Sequence, residues 1–341
     1  MLHFECDYAK GAHPWIIEKL AETNAESTAG YGEDEFCESA REKIREAVGK
    51  PDAAVFFLVG GTQTNATVIA HLLRPIEGVI SADTGHINGH EGGAIESCGH
   101  KVITLKGENG KLSAKAVREY LEGYYADEAW PHIARPGMVY ISFPTEYGTV
   151  YTKYELEELR RVCKDYSLRL FIDGARMGYG LAAEGGDVTL RDIAGLADVF
   201  YIGGTKVGAL FGEAVVFPDP ELGRDFFTVS KQHGAVLAKG RLLGIQFDVL
   251  FTDGLYFKIS RGAVAAAAGL KAALREKGYE FYMDSPTNQV FVTVENSRLE
   301  ELAKHAVFSR WEPFDNERTV IRLCTDWATT EEEIEELQKY L

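Results

Sequence analysis

With 341 residues, 45% of them hydrophobic and 26% charged, the chain has the make-up of a globular protein with room for one large domain and a smaller one. Its formal net charge of -16 argues against nucleic acid and anionic membrane surfaces as partners, since both recruit basic patches. The stretch Met1–Trp15 lacks the apolar core of a signal peptide, and the Ala263–Ala268 run, bracketed by Arg261 and Lys271, is too short to span a membrane. Five scattered cysteines (Cys6, Cys37, Cys98, Cys163, Cys324) with no CxxC spacing point to reduced thiols, a cytoplasmic setting and no zinc site.

In chain order, Asp34–Gly49 repeats apolar residues at helical spacing and stops at glycine, which predicts a capped amphipathic helix. Ala53–Val59 is a β-rich run halted by Gly60 and Gly61, after which TNATVIAHLLR restarts a helix. GVISA, HKVITL and MVYISF (Met138–Phe143) are further strands, with Asp127–Arg135 an unpatterned loop before the last. YELEELRRVCKDYS is a helix; LRLFIDGA, ADVFYIGG and GEAVVF are strands again. Strands that alternate with helices and read as continuous apolar runs predict an α/β fold with a mostly parallel central sheet covered by helices on both faces. From about Gly244 one long helical stretch runs through Lys277, followed by a strand (VFVTV), a helix, a strand (TVIRLCT) and an acidic helix. The expected division is therefore a large domain of residues 1–244, including the N-terminal segment, and a small C-terminal α+β domain of residues 245–341.

Five stretches carry chemistry. In LVGGTQTNATVIA, glycines between strand and helix, with Thr62, form either a phosphate cradle at a helix N-terminus or a tight turn with a capping threonine. Neither a P-loop nor a dinucleotide fingerprint is present. Asp173 closes the LFID strand, at the edge where open α/β sheets bind ligands; a helix cap is the plainer alternative. His86, His90 and Glu91 lie among glycines without a helix to set metal-ligand spacing, so a ring stacking on a planar ligand suits His86 better than a metal. Arg322 alternates with apolar residues on a small-domain strand and either grips a carboxylate or lies on a solvated edge. Lys206 stands among glycines where VFYIGG leaves the core. One cofactor uses all of these together. Pyridoxal 5'-phosphate has a phosphate, a ring nitrogen that an acid keeps protonated, and an aldehyde that condenses with a lysine.

The motifs GYGEDEF, GGTQTN, ADTGHINGHEGGAIE, TEYGTVYT, IDGAR, GGTKVGALFGEAVVF and IRLCT run in this order over essentially the whole chain. They resemble the low-specificity L-threonine aldolases, in the β-eliminating lyase group of fold-type I pyridoxal-phosphate enzymes. The resemblance implies cleavage of L-threonine and L-allo-threonine to glycine and an aldehyde. It implies that Lys206, beside Thr205, forms the Schiff base, that Asp173 pairs with the pyridine nitrogen and that His86 stacks on the ring. Gly61 and Thr62 would hold the phosphate, with Arg241 reaching it from a neighbouring subunit. Arg176 and Arg322 would lie near the cofactor O3′ and the substrate carboxylate, with Tyr31, Cys6 and Thr145 as further substrate contacts. The base for the β-hydroxyl would be His86, directly or through a water, or Glu91. Such enzymes are dimers or dimers of dimers, so a homodimer or homotetramer with shared active sites is expected. Departures from the family pattern are Val207 where relatives carry Asn or Gly, Glu5-Cys6-Asp7 where many carry Arg-Ser-Asp, and the absence of a histidine near Thr145. The alternatives are another pyridoxal-phosphate β-eliminating lyase, an aminotransferase-like enzyme, or a non-catalytic binding protein on the same fold. Lys206 and Asp173 speak against the last.

Overall fold

The computed structural model describes residues Met1–Leu341. Seven apolar runs build one sheet: β1 (Ala54–Leu58), β2 (Glu77–Ala82), β3 (Val102–Leu105), β4 (Arg135–Ser142), β5 (Arg169–Asp173), β6 (Val199–Gly203) and β7 (Glu213–Phe217). The order across the sheet is β1-β7-β6-β5-β4-β2-β3. Every pairing from β3 to β6 is parallel; β7 alone runs antiparallel to its neighbours β1 and β6.

Successive side chains of a strand point to opposite faces, and both faces here are dry. Val139, Ile141, Leu170, Ile172, Phe200 and Ile202 join one core, while Met138, Tyr140, Phe171, Val199 and Tyr201 join the other. This double burial explains why the strands read as unbroken apolar runs. The helix expected at Asp34–Gly49 spans Glu35–Val48: the Asp34 carboxylate accepts the Cys37 N–H at 2.9 Å and Gly49 closes it at φ 66°.

The long helical stretch expected through Lys277 is two helices, Arg241–Phe251 and Leu255–Glu276. Asp253 at φ 50° and Gly254 at φ 66° break it, and periodicity does not register a break whose flanks are both apolar. The second helix bridges two cores: Ala263 and Val264 pack with the large sheet, and Ala267, Leu270 and Leu274 with the small one. The small sheet is antiparallel, ordered β10-β11-β9-β8, from β8 (Glu280–Met283), β9 (Gln289–Glu295), β10 (Ser309–Pro313) and β11 (Arg318–Cys324). Only β9 and β11 announce themselves in sequence; β8 and β10 are half-buried edge strands, where polar residues and Pro313 mask the apolar signal.

Of the N-terminal segment, expected with the large domain, the first residues lie against the small sheet, while Ile16 packs in the large core. Leu2–His3 pairs in parallel with Ala306–Val307, Phe4 sits in the core with Leu270, Val292 and Ile321, and the Phe4 carbonyl accepts the Cys324 N–H at 2.8 Å. A two-residue strand contains no local signal of so distant a partner. The Asp127–Arg135 loop holds a single 3-10 turn at Trp130–His132, and β4 begins at Arg135. No helix is long and apolar enough to cross a membrane.

Candidate active site

The ends of β4, β5 and β6 converge on one small pocket, lined by Gly61, His86, Ser142, Glu146, Asp173 and Lys206, with Arg176 and Tyr201 beside them. Asp173 ends the middle strand. Alternation puts it on the same face as Tyr140 and Tyr201 of the two flanking strands. Both phenols point at it: Tyr140 Oη donates to Asp173 Oδ2 at 2.6 Å and Tyr201 Oη to Oδ1 at 2.5 Å. Asn65 Nδ2 adds a bond to Oδ2 at 3.0 Å and the Ala175 N–H one to Oδ1 at 3.0 Å. Burial alone would raise this carboxyl; the nearby His86 charge and the bonds from Tyr140, Tyr201 and Ala175 outweigh it and hold Asp173 below the usual carboxylate range. The site therefore contains a fixed anion.

Lys206 follows the end of β6. A Cβ at Gly203 would collide with the Ala175 backbone, and Gly208 adopts φ 82°, so the turn around the lysine depends on glycine. Tyr179 Oη donates to the Lys206 carbonyl at 2.5 Å, and Thr205 Oγ1 accepts the Gly212 N–H at 3.0 Å while donating to Glu213 Oε1 at 3.0 Å. Burial, reinforced by the Arg176 charge, lowers Lys206 towards its neutral amine. Burial also pushes Glu213 up to about 8, against the pull of Lys206.

The helix Gly61–Leu72 begins at the pocket. Its cap, Gly60, has no side chain to satisfy the first-turn N–H groups, and Gly61 lines the pocket with exposed Thr62 next to it. Such an N-terminus is built to receive an anion. One turn on, Asn65 also donates to Glu91 Oε1 at 2.7 Å. That same oxygen accepts His86 Nδ1 at 2.8 Å, which aims the imidazole. Burial would lower His86, but the Glu91 bond and the Asp173 and Glu91 charges raise it overall. The His86 backbone N–H and Ser142 Oγ both donate to Glu146 Oε1, at 2.9 and 2.7 Å. His90 is exposed, and no cluster of three or more metal-ligating side chains forms with it.

Other expected residues fall at different distances from this centre. Arg176 lines the pocket but is paired bidentately with buried Asp7, which also accepts Asn288 Nδ2 at 2.9 Å. Arg322 lies over the Trp311 ring at 4.9 Å, donates through Nη1 to Gln289 Oε1 at 3.1 Å, and leaves its buried Nε without a partner. Cys6 is half-buried, and burial raises its thiol. Thr145 is buried with its hydroxyl on Thr149 Oγ1 at 2.7 Å; the pocket residue is its neighbour Glu146. Tyr31 and Arg241 are not brought to this pocket. Tyr31, 48% exposed, lies under the Lys231 ammonium at 4.4 Å, and Arg241 donates to the Glu26 and Thr23 carbonyls of its own chain at 2.8 and 2.7 Å. Sequence reasoning missed Tyr140, Tyr201, Asn65, Glu146, Glu213 and Asp7. The period-2 pattern could have found the two tyrosines, since polar-tipped residues two apart from core positions on strands beside Asp173 must point where it points.

The chain matches the family described as beta-eliminating lyase over residues 7–297. The low specificity L-threonine aldolase of Pseudomonas sp. (strain NCIMB 10558) is 30% identical over 340 residues, spanning 98% of this chain and 95% of that one. The solved structure of Leishmania major threonine aldolase is 42% identical, covers 99% of this chain and 98% of its own, and superposes with a TM-score of 0.96. An aspartate aminotransferase mutant from Thermus thermophilus, at 16% identity and a TM-score of 0.73, shares the fold alone. The architecture is that of fold-type I enzymes, and the chain belongs to the beta-eliminating lyase family.

Proposed function

We propose that this chain is a pyridoxal-phosphate-dependent aldolase that cleaves β-hydroxy-α-amino acids, L-threonine and L-allo-threonine among them, to glycine and an aldehyde. The observation that carries the reading is that the fixed Asp173 anion and the lowered amine of Lys206 share one pocket with an uncapped helix N-terminus. This donor set fits the cofactor's three handles. Gly61 and Thr62 would hold its phosphate, Asp173 its ring nitrogen and Lys206 its aldehyde carbon, with His86 against the ring. When bound, the cofactor supplies an electron sink for the pair released as the Cα–Cβ bond breaks.

The chain's own groups do the rest. Lys206, kept towards its neutral form, is a competent nucleophile and can later return a proton to Cα. Asp173 keeps the proton on the ring nitrogen, because four donors hold its charge in place. The role of Arg322 at the substrate carboxylate is a proposal from the family resemblance, since its Nη1 and Nη2 engage Gln289 and Glu5 and its Nε is buried, whereas Arg176, which lines the pocket, already serves Asp7. Tyr31, Lys231 and Arg241 lie outside this chain's pocket, where they would be if they serve a neighbouring subunit's site; the assembly proposed is a homodimer or homotetramer with shared sites, in the cytoplasm. A product assay across threonine, allo-threonine, serine and aromatic amino acids tests the reading. Glycine and aldehyde are expected; pyruvate with ammonia, or a transamination product, in their place would overturn it.

A further inference from the structure

Retro-aldol cleavage needs a base at the substrate's β-hydroxyl; besides Asp173 the pocket wall carries one carboxylate, Glu146, and a second glutamate, Glu91, lies behind the His86 ring. Glu91 is sealed: its side chain has no exposed surface, Oε1 is taken by Asn65 and His86, and Oε2 is buried without a partner. It does not line the pocket. Its geometry makes it the positioning residue for the His86 ring. Glu146 is arranged differently. It lines the pocket with His86, Asp173 and Lys206. Both of its donors, the His86 N–H and Ser142 Oγ, converge on the single oxygen Oε1. No other residue donates to Oε2, which, unlike that of Glu91, is not a sealed atom. One carboxylate oxygen is thus clamped while the other is open to the pocket.

We infer that Glu146, through Oε2, is the general base that takes the β-hydroxyl proton of the substrate, an inference that rests on the aldolase reading above. The step balances without any further reactant. The O–H bond breaks, its electron pair becomes the second bond of the aldehyde carbonyl, and the proton goes to Oε2. The Cα–Cβ pair stays with the amino-acid fragment, whose Cα takes up one proton to become glycine, and Glu146 releases its own to solvent. The surroundings suit a base. Burial raises the Glu146 carboxyl and the Asp173 charge adds to this, opposed by the Ser142 bond, by its own backbone N–H and by His86. Tyr140, Tyr147 and Tyr151 are the other titratable groups that feel its charge. The Ser142 and His86 clamp fixes the carboxyl plane, so Oε2 presents one direction.

The test uses the holoenzyme and two substrates. Glycine has no β-hydroxyl, so exchange of its α-proton with deuterated water does not need this base. In Glu146→Gln, which keeps the clamped oxygen, threonine cleavage should fall by about 100-fold or more. Glycine exchange and the glycine dissociation constant from absorbance titration should stay within a few-fold of wild type. Ser142→Ala, which loosens the clamp, should lower kcat for threonine several-fold and leave glycine exchange unchanged. Glu91→Gln should depress both reactions, through His86. Cleavage by Glu146→Gln at close to the wild-type rate overturns the inference, as does an equal loss of glycine binding and exchange, which marks a structural role. A wild-type enzyme that cleaves no β-hydroxy amino acid overturns the aldolase reading itself.

Discussion

Arg176 and Asp7, 169 positions apart, form a two-point ion pair, Nε to Oδ2 at 2.6 Å and Nη2 to Oδ1 at 2.9 Å. Asp7 belongs to the N-terminal segment that lies on the small sheet, and Arg176 lines the pocket at the end of β5, so the pair bolts the first residues to the site wall. The Asp7 side chain is fully buried and the Arg176 side chain largely so. Burial works to raise Asp7, and the Arg176 charge and bonds more than reverse it, so its carboxyl lies below the ordinary range.

That direction gives a pH-dependent stability. A depressed carboxyl stabilises the fold above its unfolded pKa of about 3.9, and the contribution is lost as pH falls through the lower folded value. Asp7→Asn leaves a buried guanidinium uncompensated and should cost about 3–5 kcal/mol at neutral pH. Between neutral pH and the acid limb the variant should lose less stability than wild type, because the titrating group is gone. Urea unfolding of both proteins without cofactor, across that range, checks it; parallel curves would show that the pair is not linked to folding.

Lys206→Ala should remove the covalent anchor. Borohydride treatment of the wild-type holoenzyme should fix cofactor mass on the peptide bearing Lys206, and the variant should take no such label and show no threonine cleavage. Peptide mass spectrometry after reduction reads the first outcome. Label at another lysine would displace Lys206 from its role.

Asp173→Asn changes charge and donor pattern together. The carboxylate accepts Tyr201 and Ala175 on one oxygen and Tyr140 and Asn65 on the other. An amide turns one of those oxygens into a donor that faces donors. Turnover should fall by about 100-fold or more, and the melting temperature of the cofactor-free protein should drop as well. If only stability changes while kcat holds, Asp173 is a structural knot and not the ring-nitrogen partner.

Gly203→Ala is expected to destabilise by about 1–3 kcal/mol or more, because the new methyl meets the Ala175 backbone, which cannot rotate away. The strain falls at the base of the lysine turn, so kcat should fall along with the melting temperature. A melting curve that overlays wild type would show that the two chain segments are not packed this closely.

A shared site predicts complementation. Lys206→Ala and Arg241→Ala homodimers should each be close to inactive. Unfolded and refolded together, mixed dimers should regain a fraction of wild-type activity, since one of their two sites carries neither lesion. If mixed dimers form and stay inactive, Arg241 acts only within its own chain, where it already binds the Thr23 and Glu26 carbonyls.

The strands of the large sheet, most of the helices, Lys206, Asp173 and the glycine turn before the Gly61–Leu72 helix are legible in the sequence, because burial of a strand or helix imposes a period on adjacent residues and glycine marks where the backbone must turn or be approached closely. The resemblance to a known family rests on the same local motifs. What the tertiary structure alone decided is which side chains meet. Nothing near Asp7 marks Arg176 as its partner, and nothing near Glu91 shows that Asn65 seals it from the pocket. The step from Thr145 to Glu146 is a one-residue difference that depends on how the chain turns after β4. Contacts between segments distant in sequence are set by the register of strands and the packing of layers, and that information is spread over the whole chain and has no local period to read.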